Sequence, residues 1–160
     1  MRNVIVSACL LEVNCKHDGG NNFSRELVDE LFDKAVLIPV CPEQLGGLPT
    51  PRIPAEIAGE EGYSVLKGKA GVYNRAGMEV TSSFLKGAEE TLKLARLYRI
   101  NAALLKSGSP SCGSGRIRDG SFRGVWKTGD GVTTAILKEN GIEVYTEEEV
   151  VQLKEILCST

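Results

Sequence analysis

Short unbroken apolar runs alternate along this chain with longer stretches in which apolar residues recur every three or four positions. Val4-Ile5-Val6 predicts a buried first strand. Leu27, Val28, Leu31, Phe32 and Ala35 share one helical face, so a helix is expected over Ser24–Lys34 with Ser24 as its N-cap. Val36-Leu37-Ile38-Pro39-Val40 predicts a second strand, although proline is awkward in the middle of a sheet. Thr81–Arg99 is the clearest helix, with Leu85, Ala88, Leu92 and Ala95 on one face. Ala102-Ala103-Leu104-Leu105 is a third strand. Val132–Asn140 is a helix stopped by Gly141, and Ile142-Glu143-Val144-Tyr145 is a fourth strand. Thr146-Glu147-Glu148-Glu149 has the capping-box pattern and opens a last helix reaching Leu157.

The segments between these elements are of a different kind. Residues 41–54 hold four prolines and two glycines and are expected to be loop. Residues 63–80 alternate apolar and polar positions and suggest a small β excursion. A glycine-rich loop is expected from the third strand through Gly124. Strands alternating with helices imply an α/β fold in three layers: a doubly wound, mainly parallel sheet of four or five strands with helices on both faces. At 160 residues the chain is expected to form a single domain over 1–160.

The alternation matters because open parallel sheets bind ligands outside the carboxyl ends of their strands. Cys9 follows the first strand, Cys41 follows the second, and Cys112 lies in the loop after the third. All three loops emerge at one edge, so three thiols distant in sequence are candidates to meet in space. Thiolates are soft ligands that select zinc, copper(I) or iron–sulfur clusters. No Cys-x-x-Cys is present, which excludes the common zinc-finger and ferredoxin spacings. Cys15 and Cys158 stand in contexts that read as ordinary: a polar loop and the tail of the last helix.

Composition narrows the partners. Nineteen basic against 21 acidic residues give a net charge of −2, which argues against nonspecific binding of long nucleic acid. No apolar run is long enough to span a bilayer, and the first residues do not read as a secretion signal. A cytoplasmic setting with reduced thiols is therefore expected, in which the cysteines serve metal binding or catalysis.

Five motifs in order, Ser7-Ala8-Cys9-Leu10-Leu11, Pro39-Val40-Cys41-Pro42-Glu43, Gly46-Gly47-Leu48-Pro49-Thr50-Pro51-Arg52, Ser109-Pro110-Ser111-Cys112-Gly113 and Asp119-Gly120-Ser121-Phe122, together resemble the thiouracil desulfidase family. The resemblance runs from Val4 to Val150. It implies a 4Fe-4S cluster held by Cys9, Cys41 and Cys112, with one iron left open for the substrate's thiocarbonyl sulfur. It also implies hydrolytic removal of sulfur from thiolated uracil without net redox change, with Glu43 as general base and Ser109 orienting the pyrimidine, a role for which Ser107, Ser111 and Ser114 of the same loop compete. The expected partner is a small thiopyrimidine, as base, nucleoside or nucleotide, with neither long nucleic acid nor a membrane involved. Glu12 stands where that family commonly has glycine, and His17 where it commonly has an aromatic residue.

Several signals stand beside the resemblance. Arg116, Arg118, Arg123 and Lys127 face a single acid, Asp119, in one stretch and suggest a phosphate on the substrate. Gly129-Asp130-Gly131-Val132-Thr133-Thr134 precedes a helix and is either an anion site built from free amides or an ordinary glycine turn. His17, the only histidine, is a candidate proton relay or ligand set against an ordinary loop residue. Cys112 and Arg118 fit the spacing of a cysteine-phosphatase cradle, an alternative that leaves Cys9 and Cys41 unexplained. A second alternative is a non-catalytic iron–sulfur sensor or sulfur carrier.

Overall fold

The computed structural model describes residues 1–159. The chain begins with β1 (Arg2–Ser7), a 3-10 turn (Ala8–Leu11), α1 (Arg25–Leu31), β2 (Ala35–Val40) and the one-turn helix α2 (Pro42–Leu45). There follow β3 (Ala55–Ala58), α3 (Gly62–Leu66), β4 (Gly71–Asn74) and the long α4 (Thr81–Leu97). The remainder is β5 (Ala102–Leu105), β6 (Arg116–Arg118), β7 (Trp126–Thr128), α5 (Val132–Glu139), β8 (Glu143–Thr146), a 3-10 turn (Glu147–Glu149) and α6 (Val150–Cys158).

Four strands form a fully parallel sheet in the order β2-β1-β5-β8. Alternation along β1 and β5 sorts their side chains to opposite faces. Val4, Val6 and Leu104 pack with Leu27 and Leu31 of α1 and Leu153 and Leu157 of α6. Ile5, Ala103 and Leu105 pack with Leu92 and Ala95 of α4 and Leu137 of α5. Helices thus cover both faces, as the alternation of elements requires. Pro39 is accommodated because β2 is an edge strand, where a missing N–H is tolerated. Ser24 caps α1 by accepting from the Leu27 amide, and Thr146 with Glu149 completes the capping box. Among the described residues no helix is long and apolar enough to cross a membrane.

Two antiparallel pairs stand outside this sheet. β3 and β4 pair from Ala55↔Asn74 to Ala58↔Gly71, so the β excursion expected over residues 63–80 keeps only its second strand there: its first lies earlier, at Ala55–Ala58, and α3 occupies Gly62–Leu66 between them. β6 and β7 form a hairpin inside the glycine-rich loop, too short for the sequence pattern to reveal. A third core of Ile57, Val65, Val72, Phe84, Ile117 and Val132 joins both pairs to α4 and α5. The proline-rich segment differs from a plain loop because it opens with α2, whose Pro42 occupies the first helical position, where no N–H is needed. Glu12 ends the first 3-10 turn at φ 71° in the left-handed region, a conformation that favours glycine.

Backbone contact without intervening side chains fixes α2 on α4. A Cβ at Gly87 would lie 1.9 Å from the Pro42 carbonyl oxygen, and one at Gly46 would lie 1.9 Å from that of Ser83. Helix propensity alone makes Gly87→Ala stabilising by about 1 kcal/mol. The clash with a backbone oxygen outweighs this, so Gly87→Ala is expected to lower stability by about 1–3 kcal/mol in urea unfolding. A stabilised variant would contradict this packing.

Candidate active site

The site is assembled from strand ends. Cys9 sits in the turn that continues β1, Cys41 directly follows β2, and Cys112 lies in the loop beyond β5. All three line one cavity of about 630 Å³ at the carboxyl edge of the parallel sheet. Cys15 lines it too, and all four thiols are free. Cys158 sits exposed on α6, away from the cavity. Among the described residues no three His, Cys, Asp or Glu side chains form a single-ion site.

The Cys112 loop is held by its backbone. The amides of Gly131, Val132 and Thr133 at the start of α5 donate to the carbonyls of Gly113, Pro110 and Ser111 at 2.8, 2.8 and 2.9 Å. Thr134 Oγ1 donates to the Cys112 carbonyl at 2.8 Å, and the Cys112 amide donates to Ser109 Oγ at 2.7 Å. A Cβ at Gly131 would lie 2.5 Å from the Ser111 carbonyl carbon, so only glycine permits this docking. These amides therefore hold the cysteine loop and are not available to an external anion, which corrects the expectation for Gly129–Val132. Asp130 likewise turns inward, accepting from the Gly115 amide and from Lys138.

The four thiols differ electrostatically. Contact with the Cys15 thiol is the main influence lowering Cys9 to about 7 and Cys41 to about 6, against the opposing effect of burial. Asn22 Nδ2 donates to Cys9 Sγ at 3.4 Å, and the Gln44 amide and Arg52 further favour the Cys41 thiolate. Cys15, flanked by both, is pushed strongly upward by the same contacts. Cys112 is 5% exposed, and burial pushes its thiol up to about 12 despite contacts with Ser111 and Ser7. Ser7 also accepts from the Lys106 amide at 2.9 Å, tying the ends of β1 and β5 together beside Cys112.

A carboxylate lies between two cysteine segments. Glu43 Oε1 pairs with Arg52 Nε at 2.9 Å, and Glu43 Oε2 accepts from Ser111 Oγ at 2.9 Å. Ser111 Oγ stands 3.2 Å from Ser109 Oγ, so a chain of hydroxyls runs from Glu43 to Ser109. Arg52, almost fully buried, also donates to the Cys15 carbonyl at 2.8 Å and so ties the Cys15 loop to Glu43. Glu43 and Ser109, expected from the family resemblance, line this cavity, and Ser111, a competing serine of the same loop, supplies the bond to the carboxylate; Cys15 and Arg52 are the residues that the sequence does not single out. The arginine that closes the Gly46–Arg52 motif was the available signal for one of them. His17 lines the cavity as well, its carbonyl accepting from the Arg52 amide at 2.7 Å.

The cavity mouth is cationic although the whole chain is not. Its lining includes Lys16, Arg52, Arg75, Lys106, Arg116 and Arg118 against Glu43, Glu56, Glu147 and Glu148. Glu43 is paired with Arg52, and Glu56 accepts from the Gly120 and Phe122 amides. Lys106 binds Glu147 at 2.8 Å; burial raises the Glu147 carboxyl, but bonds from Lys106 and Ser107 outweigh it and hold the group low. Arg116 and Arg118 stack on Trp126 at 4.3 and 3.5 Å from the ring centroid, and Arg75 stacks on Phe122 at 5.8 Å. Among the described residues Arg75, Arg116 and Arg118 have no carboxylate partner. Of the basic stretch expected to meet a phosphate, Arg116 and Arg118 reach the cavity, whereas Arg123 and Lys127 do not line it. Lys127 turns to the carbonyls of Ile57 and Gly59.

Comparison with known proteins places this geometry in context. The family model of 2-thiouracil desulfurase matches residues 4–149. The uncharacterized protein YbbK of Bacillus subtilis (strain 168) is 43% identical over 147 residues, covering 92% of this chain and 97% of the relative. The solved structure of the 4Fe-4S-dependent thiouracil desulfidase TudS superposes with a TM-score of 0.87 at 41% identity over the whole of both chains.

Because only thiolates are alkylated rapidly, rates in metal-free protein rise with pH as each thiol ionises. Cys41 and Cys9 are expected to reach half their plateau near pH 6 and pH 7, while Cys112 stays slow across this range. Mass-spectrometric mapping of iodoacetamide labelling checks this. Labelling of Cys9 and Cys41 that follows an ordinary thiol near pH ~8.5 would contradict it.

Proposed function

The chain belongs to the 2-thiouracil desulfurase family, and on that premise we propose that it hydrolytically removes sulfur from thiolated pyrimidines using a 4Fe-4S cluster bound by Cys9, Cys41 and Cys112. The observation that carries this reading is the meeting of three thiols from three strand ends in one cavity beside a fixed carboxylate. The residues present fit such a group. The donor set is soft sulfur, as iron–sulfur clusters require. Two of its members already favour the thiolate form. The third, Cys112, is held by its backbone and would be deprotonated by the metal itself.

When bound, the cluster supplies an open iron that attracts the substrate's sulfur and polarises its bond to carbon. The protein's own residues do the rest. Glu43 accepts a proton from the attacking water, its carboxylate locked in orientation by Arg52 on one oxygen and Ser111 on the other. Ser109, at the far end of the hydroxyl chain, orients the pyrimidine and links it to that proton path. Arg116, Arg118 and Arg75, stacked on aromatic rings at the mouth, meet an anionic group on the substrate, which favours a nucleotide over a free base. The phosphatase alternative is disfavoured because Cys112 is buried with a raised thiol, and it leaves Cys9 and Cys41 without a role.

The test is sulfide release by anaerobically reconstituted protein. The parent is expected to release sulfide from thiouracil derivatives. Glu43→Gln should keep its iron and acid-labile sulfide yet lose roughly 10²–10⁴-fold in kcat. Arg118→Gln should raise KM for a thiouridine monophosphate and leave KM for the base unchanged. An iron-loaded parent that releases no sulfide would refute the enzymatic reading and favour a sensor. Equal effects of Arg118→Gln on base and nucleotide would refute the phosphate contact.

A further inference from the structure

Cys15 is the one thiol of the cavity that the proposed reaction leaves without a task. It is 2% exposed, yet it is not isolated in a core of apolar side chains. Its thiol touches both the Cys9 and the Cys41 thiols. Its carbonyl oxygen lies 3.8 Å from Cys41 Sγ and accepts from Arg52 at 2.8 Å. Arg52 in turn grips Glu43 two residues after Cys41, so the Cys15 and Cys41 segments are clamped to each other. All three line the cavity; Cys9 and Cys41 are partly exposed, whereas Cys15 is buried against them.

We propose that Cys15 is a resolving thiol for Cys41, forming a Cys15–Cys41 disulfide that preserves this ligand in reducible form when the cluster is destroyed by peroxide. The chemistry balances in two steps. The Cys41 sulfur attacks one oxygen of hydrogen peroxide and the O–O bond breaks. Cys41 is oxidised to the sulfenic acid while the other oxygen leaves as water. The Cys15 sulfur, giving up its proton, then attacks the Cys41 sulfur. The S–S bond forms, the S–O bond breaks, and a second water carries away the proton. Two thiols and one peroxide become one disulfide and two waters. Without a thiol so close, the sulfenic acid would proceed to the sulfinic acid, which ordinary reductants do not reverse. Cys41 is favoured over Cys9 as the partner because it contacts Cys15 through both thiol and carbonyl and shares the Arg52 clamp.

The experiment uses the full chain, stripped of iron by chelation, reduced, exposed to a small excess of hydrogen peroxide and capped with an alkylating agent. Cleavage after Glu12 by a glutamate-specific protease separates Cys9 from Cys15, so the peptide map distinguishes their linkages. The expected result is a Cys15–Cys41 linked pair. After dithiothreitol treatment, a portion of the exposed protein set aside before capping takes up as much iron as unexposed protein. In Cys15→Ser, Cys41 is expected to accumulate as sulfinic acid, and iron uptake should fall at least about two-fold. A Cys9–Cys41 link with Cys15 alkylated, or equal over-oxidation of Cys41 with and without Cys15, overturns the proposal. The map of the parent decides the linkage even if the variant folds poorly. The iron-uptake arm rests on the cluster reading; the peptide map does not, so the two fail separately.

Discussion

Backbone docking of the Cys112 loop onto the first turn of α5 is the interaction on which the site depends. A loop of small polar residues has little apolar surface with which to fix itself, so its position has to come from hydrogen bonds. Three amides of a helix start meet three loop carbonyls, a threonine hydroxyl meets a fourth, and Gly131 removes the side chain that would hold the two backbones apart. The arrangement uses the unsatisfied donors of a helix terminus to fix the Cys112 loop, leaving none for an external anion. Cys9 and Cys41 need no such device, because each follows a strand of the rigid parallel sheet directly.

The same economy shapes the carboxylate. Glu43 stands on a single turn of helix that would be unstable alone. It is held because α2 lies against α4 at backbone contact through Gly46 and Gly87, and because Arg52 and Ser111 occupy both carboxylate oxygens. A group fixed by three other segments loses little freedom on meeting a ligand, which is how positioning contributes to rate. Around it, the excess of guanidinium at the mouth concentrates a positive field there in a chain of net negative charge.

The sheet, its helices and the three-cysteine edge were legible in the sequence because period-2 and period-3.6 patterns and the strand-end rule are local signals. Val4–Val6, Ala102–Leu105 and the Thr146 capping box stand where the pattern put them. What stayed hidden rests on contacts between distant residues. Cys15 read as a loop thiol because nothing in its neighbours shows that the turn after β1 folds it back against Cys41, 26 positions away. The free amides expected at Gly129–Val132 are consumed by a loop some 20 residues earlier. The β6–β7 hairpin has three residues per strand, below the length at which alternation is informative.

The central claim is that Cys9, Cys41 and Cys112 alone hold the cluster, with its fourth iron facing the cavity. Anomalous diffraction at the iron edge, from crystals grown anaerobically from reconstituted protein, addresses it directly. The account predicts four iron peaks in the cavity, three of them bonded to the sulfurs of those cysteines and one with no protein ligand. A cluster ligated by Cys15, or iron bound outside the cavity, would contradict it.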